Sequence, residues 1–205
     1  MPAEETGAPS ANGRTADHDI DPRFLTRWSP RAFTGEAMPD ALLMSLFEAA
    51  RWAPSASNIQ PWRFVYAHRD SPQWEPLFHA LMDMNQPWVA RASVLAYVIS
   101  DRFRRRPGVE PTENRSHSFD TGAAWALLAL QAQHIGWAAH AMGGFHVAKA
   151  HEATDVPESH YRIEAAIAIG RPTDAHVLPE SYRAREVPSG REPVAGFVFE
   201  GRLRA

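Results

Sequence analysis

Arg27-Trp-Ser-Pro-Arg31 and Ala53-Pro-Ser-Ala-Ser-Asn-Ile-Gln-Pro-Trp62 are the two stretches that decide how this chain is read. In an extended chain, residues 27, 29 and 31 point the same way, so the first stretch aligns two guanidinium groups and a hydroxyl on one face. Arginine makes planar, bidentate hydrogen bonds to phosphate, and Ser29 can donate to the same group or to a neighbouring polyol. Alone, such a string is more often a solvated surface. In the second stretch Pro54, Ser55, Ser57, Asn58, Gln60 and Pro61 combine rigidity with short polar side chains, which suits the edge of a planar heterocycle. The plainer reading is that Ser and Asn cap turns between a helix and a strand.

The flanking sequence supplies that helix and that strand. Leu42, Leu43, Leu46, Phe47 and Ala50 repeat at helical spacing before Pro54, and Trp62 to Ala67 is aromatic and β-branched, as strands are. Trp74, Leu77, Phe78, Leu81 and Met82 predict a helix over 73–85, and the apolar run Val94 to Ile99 predicts a fully buried strand. The polar stretch from Asp101 to His117 reads as a long surface loop, of the kind that often serves as a lid. From Phe119 to Ile135 the chain is apolar almost all round, which predicts a helix buried in the core or at a subunit interface. Strands over 137–141 and 161–169 bracket a short helix over 147–153, and Val198-Phe199 reads as a last strand. Alternating strands and helices place the fold in the α/β or α+β class.

With 21 Lys+Arg against 24 Asp+Glu the net charge is -3, which gives no field to draw in nucleic acid or an anionic membrane. The absence of cysteine excludes thiol catalysis, Cys-ligated zinc, Fe–S clusters and disulfides. Residues 1–21, rich in small and charged residues, read as a disordered tail ahead of one domain over 22–205. No secretory signal or bilayer-length apolar run is visible, so a soluble, cytoplasmic protein is expected.

The two quoted motifs, in this order and at this separation, resemble the FMN-dependent nitroreductase-like family, and the later elements agree along nearly the whole chain after the tail. The resemblance implies an α+β fold: a three-layer sandwich around a mixed, mainly antiparallel sheet, in an intertwined homodimer with one FMN per subunit at the interface. It places Arg27, Ser29 and Arg31 along the ribityl phosphate and pyrimidine edge. Pro54, Ser55, Ala56 and Asn58 would reach the flavin from the partner subunit, with Trp28, Ser57 and Gln60 completing the two segments. Asn85 matches an isoalloxazine contact, and Ala141-Met142-Gly143-Gly144 a backbone approach to the flavin face and N5 edge, although a Gly-Gly pair alone is only a turn signal. Arg191 would be the second clamp on the phosphate, with Arg171 as the alternative. A basic residue common in the family three positions after Asn85 is replaced by Trp88.

The activity so implied is ping-pong reduction: NADH or NADPH reduces FMN and an electron-poor acceptor, a nitroaromatic or quinone, reoxidises it, with no catalytic side chain required. A different flavin reaction (dehalogenation, enal reduction or flavin modification) and a non-catalytic FMN-binding protein are the alternatives. The ten histidines include no HExxH pattern, so no metal is expected, and there is no GxSxG, Walker loop or GxGxxG. The Arg102 to Arg106 cluster sits in a chain whose net charge is negative, so it reads as a solvated loop and no nucleic-acid partner is expected.

Overall fold

A computed structural model describes residues 10–203. A small hairpin, β1 (Ser10–Ala11) and β2 (Arg14–Thr15), leads into α1 (Pro22–Thr26) and α2 (Asp40–Arg51). Then come β3 (Trp62–His68), α3 (Trp74–His79), α4 (Gln86–Val89) and β4 (Val94–Asp101). A second hairpin, β5 (Phe103–Arg106) and β6 (Val109–Glu113), precedes α5 (His117–His134), β7 (Ala138–Met142), α6 (Val147–Thr154) and β8 (Tyr161–Gly170). The remainder is an extension carrying α7 (Glu180–Arg183).

The four-stranded sheet runs β3-β4-β8-β7 with antiparallel pairings throughout. β4 is central and every one of its residues is buried. Its side chains alternate in the strand manner. Leu95, Tyr97 and Ile99 pack with Trp74, Leu77 and Trp88 on one face, while Val94, Ala96 and Val98 pack with Leu43, Leu46 and Leu128 on the other. The helices α3, α4 and α6 thus cover one side and α2 with α5 the other, making the expected three layers. Each fully buried Leu in these clusters contributes about 1.5–3 kcal/mol.

The helix expected over 73–85 is shorter: α3 stops at His79, and α4 begins only at Gln86. The Ala80 carbonyl accepts from His146 N at 2.8 Å and Met82 N donates to Gly144 O at 3.0 Å, so bonds to a distant segment displace the helical ladder after His79. The long loop expected over 101–117 is largely the β5–β6 hairpin, turned at Gly108 with φ +72. Val198-Phe199 joins no strand among the described residues; it follows a single 3-10 turn and Val198 is exposed. The first nine residues of the stretch 1–21 lie outside the described residues. From Ser10 onward that stretch forms the first hairpin, and Asp17 accepts from Val194 N at 2.7 Å.

Helix α5 buries Ala124, Leu128 and Ala132, one stripe at i, i+4, i+8, against the sheet and α2. Ala129 is buried beside that stripe, but Phe119 is 83% exposed, and Trp125, Leu127 and Leu130 are only half-buried.

Candidate cofactor site

Helix α1 is capped by Asp21, whose carboxylate accepts from Arg23 N, and it ends at Arg27, where φ −65 and ψ 125 turn the chain extended. That geometry brings the side chains of residues 27 and 29 together: Arg27 Nη1 donates to Ser29 Oγ at 3.4 Å. Burial makes the Arg27 guanidinium hold its proton less tightly, and the charges of Arg191 and Arg14 push in the same direction. Residues from opposite ends of the chain are therefore neighbours, Arg27 beside Arg191. Among the described residues none of these three arginines pairs with a carboxylate. Arg14 had no signal in sequence, because it lies in a stretch of tail-like composition and reaches the corner only through the first hairpin. Arg171 is drawn elsewhere, donating to Glu36 at 2.6 Å and lying 5.1 Å over the Trp137 ring.

Beyond Ser29, an open cavity of about 410 Å³ is lined by Phe24, Arg27, Ser29, Trp125, Leu130 and Ala141, which joins the first motif to α5 and β7. Arg31 is anchored from below. Its backbone N–H and that of Ala32 donate to Glu186 Oε1 at 2.7 and 2.8 Å, and its guanidinium lies 3.8 Å from Glu186 Oε2 and 5.9 Å over Trp88. The Glu186 carboxylate is almost wholly buried and its Oε2 makes no hydrogen bond among the described residues. Trp88 stands 4.7 Å from His140, whose Nδ1 meets Pro30 O at 3.0 Å. Burial pushes the His140 pKa down to about 4 against the lift from that carbonyl, and the Arg31 and Arg27 charges add to the lowering. The imidazole is neutral, with Nδ1–H donating. Trp28 is half-buried.

Asn85 Nδ2 donates to Gly144 O at 2.9 Å, and Trp88 Nε1 donates to Asn85 Oδ1 at 3.3 Å. A Cβ at Gly144 would come within 2.2 Å of that Asn85 nitrogen, so a side chain there would displace the Asn85 amide from this position. Gly143 is exposed, and Ala141 and Met142 end β7 just before it. Trp88 thus places an aromatic ring between Arg31 and Asn85.

The second motif lies at the other edge of the sheet, ahead of β3. Ser57, Asn58 and Gln60 all hold φ near +53, with 52, 54 and 54 respectively. Only Asn tolerates that region readily; the other two each cost on the order of 1 kcal/mol, strain of the sort that accumulates at ligand sites. Ser55 Oγ accepts from Gln60 N at 3.0 Å and Asp120 Oδ2 accepts from Ala56 N at 3.1 Å, which holds the loop in shape. Pro54, Ala56, Ser57, Asn58 and Gln60 are nevertheless exposed. Three strand spacings, roughly 14 Å in all, separate β3 from β7 across the sheet.

The sequence profile of the Nitroreductase family matches residues 25–71 and 68–171. The chain belongs to the nitroreductase family. Among its relatives is a protein of Streptomyces coelicolor named for NADH dehydrogenase and NAD(P)H nitroreductase activity, 33% identical over 132 residues, 56% of this chain and 64% of that relative's length. An NADH dehydrogenase of Thermus thermophilus is 27% identical over 202 residues, covering 84% of this chain and 94% of that one. Among solved structures, an oxidoreductase containing FMN superposes with a TM-score of 0.92 at 47% identity, over 96% of this chain and 98% of its own. A Desulfovibrio desulfuricans protein described as a nitroreductase, in complex with FMN, gives 0.69 at 28% identity over 89% and 96%. The nitroreductase fold expected from the two motifs is the observed one.

Proposed function

We propose that this member of the nitroreductase family is an FMN-dependent oxidoreductase that takes electrons from NADH or NADPH and delivers them to an electron-poor aromatic or quinone-like acceptor. The observation that carries it is the corner where Arg27 and Arg191 stand together without a carboxylate. A phosphate bearing nearly two negative charges is the natural complement to such a corner, and charge-assisted bonds to it are about twice as strong as neutral ones. Ser29 and Ala141 line the cavity beside Arg27, where a ribityl chain would lie, and Arg31, Asn85 and the Gly143-Gly144 turn would receive the ring beyond it.

When bound, FMN supplies the redox chemistry, accepting hydride from the nicotinamide and passing it on. The protein binds, orients and tunes. Arg31, braced by Glu186, presents a cation where negative charge would grow on the pyrimidine edge. Asn85 and the Gly144 backbone would hold one side of the ring, and the absent side chain at Gly143, where a Cβ would meet open space, would let it come close. The pre-shaped loop from Pro54 to Gln60 would close the site from a second subunit, since in one protomer it faces solvent across the sheet from Gly144. No side chain is assigned as acid or base.

The test begins with the visible spectrum of the purified protein, where a flavin band is expected. Anaerobic mixing with NADH and with NADPH should then bleach it. Failure of both nucleotides to bleach a bound flavin would leave an FMN-binding protein and sink the reductase reading.

A further inference from the structure

The first hairpin delivers a third guanidinium to the corner of Arg27 and Arg191. Arg14 Nε donates to Ser189 O at 2.8 Å, and its Nη1 donates to Leu25 O at 2.9 Å and Arg27 O at 2.7 Å. One side chain thereby ties the segment that bears Arg27 to the segment that bears Arg191. Arg191 turns its own Nη1 to the same Ser189 O at 3.3 Å, so two guanidinium groups converge on a single carbonyl. Asp17 and Glu192 line the adjoining cavity of about 710 Å³, but among the described residues neither forms an ion pair with any of the three. Arg14 Nη2 makes no hydrogen bond among the described residues.

Like charges gathered in a partly buried corner repel one another, and the repulsion is stronger there than in water. Surface arginines with no such task spread apart into solvent. Here backbone carbonyls hold one of them in place beside the other two, an arrangement whose repulsion an oxyanion would relieve. We infer that Arg14 is a third member of the phosphate site, setting the spacing between Arg27 and Arg191 and adding its charge to theirs. This rests on the FMN reading above, and it extends the cofactor site into a segment of tail-like composition.

The consequence is selectivity for the phosphorylated flavin. Wild-type protein stripped of flavin, Arg14→Gln, Arg14→Lys and Arg27→Ala would each be titrated with FMN and with riboflavin, following flavin fluorescence. Arg14→Gln should lose about tenfold in FMN affinity, the size expected for one hydrogen bond to a charged group. Riboflavin affinity should be unchanged, which also reports that the variant is folded. Arg14→Lys should fall between, keeping charge without the fork of donors. Parallel losses for both ligands would make Arg14 a packing residue only, and unchanged FMN affinity would remove it from the site; either overturns the inference. If Arg27→Ala shows no loss of preference for FMN over riboflavin, the phosphate reading falls as a whole. If Arg27→Ala loses it and Arg14→Gln keeps it, the reading stands and Arg14 alone is wrong.

Discussion

His140 shows how a single buried residue can couple the site to pH. Its pKa is pushed from 6.5 down to about 4, chiefly by burial. Between those values the unfolded chain binds a proton that the folded one refuses, so stability rises with pH across the window by at most about 1.4 kcal/mol per unit. The contribution is fully present above pH 6.5 and is lost as pH falls toward 4. Thermal unfolding of wild type and His140→Gln across that range should show a shallower dependence in the variant; identical slopes would mean the imidazole titrates normally. Arg27→Ala and Arg191→Ala should each weaken FMN retention at least tenfold, measured by flavin content after dialysis, and full occupancy in both would refute the phosphate assignment. At this scale legibility followed sequence distance. Arg27, Ser29 and Arg31 could be read because their alternation is local. Arg14 and Glu186 could not, since Arg14 reaches Ser189 175 positions away, Glu186 reaches Arg31 155 positions away, and neither sits in a recognisable pattern.

Elements were legible where one physical cause dominates. The run from Val94 is a strand because it is apolar on both faces, and only a central, doubly covered position accommodates that. The helix over 73–85 could not be read correctly, since what ends it is a pair of hydrogen bonds to residues 144 and 146. The end of β8 is set by another long-range contact. A Cβ at Gly170 would lie 2.6 Å from Phe33 Cδ1 and 2.7 Å from Cγ, and that ring is fully buried, so it has nowhere to go. Gly170→Ala should therefore destabilise by about 1–3 kcal/mol, the cost of an overpacked core. Chemical denaturation would check it, and a midpoint equal to wild type would mean that the segment from Ala32 to Thr34 shifts freely. Because Phe33 precedes Thr34, which donates to Arg171 O, and follows Arg31, FMN retention should drop in the same variant.

The whole molecule explains why neither motif is sufficient. On the proposed function, Arg27 to Arg31 with Gly143-Gly144 and the loop from Pro54 to Gln60 would serve the same ligand, yet β3 and β7 are the two edges of one sheet, roughly 14 Å apart. Helix α5 has an apolar sequence all round but buries one stripe, leaving Phe119 exposed and Trp125 half-covered. A second copy laid against that face would cover it and bring the partner's loop over the first copy's arginines. Flavin binding and dimerisation are then linked, each favouring the other by mass action. Sedimentation of the wild type should give a dimer, and Phe119→Arg, which buries a charge in the proposed interface, should yield monomers that lose flavin in the same fractions. Arg27→Ala is the necessary contrast, since it should lose flavin while remaining dimeric. Monomers of Phe119→Arg that keep a full complement of FMN would show that one protomer holds the cofactor unaided, and the division of the two motifs between subunits would have to be abandoned.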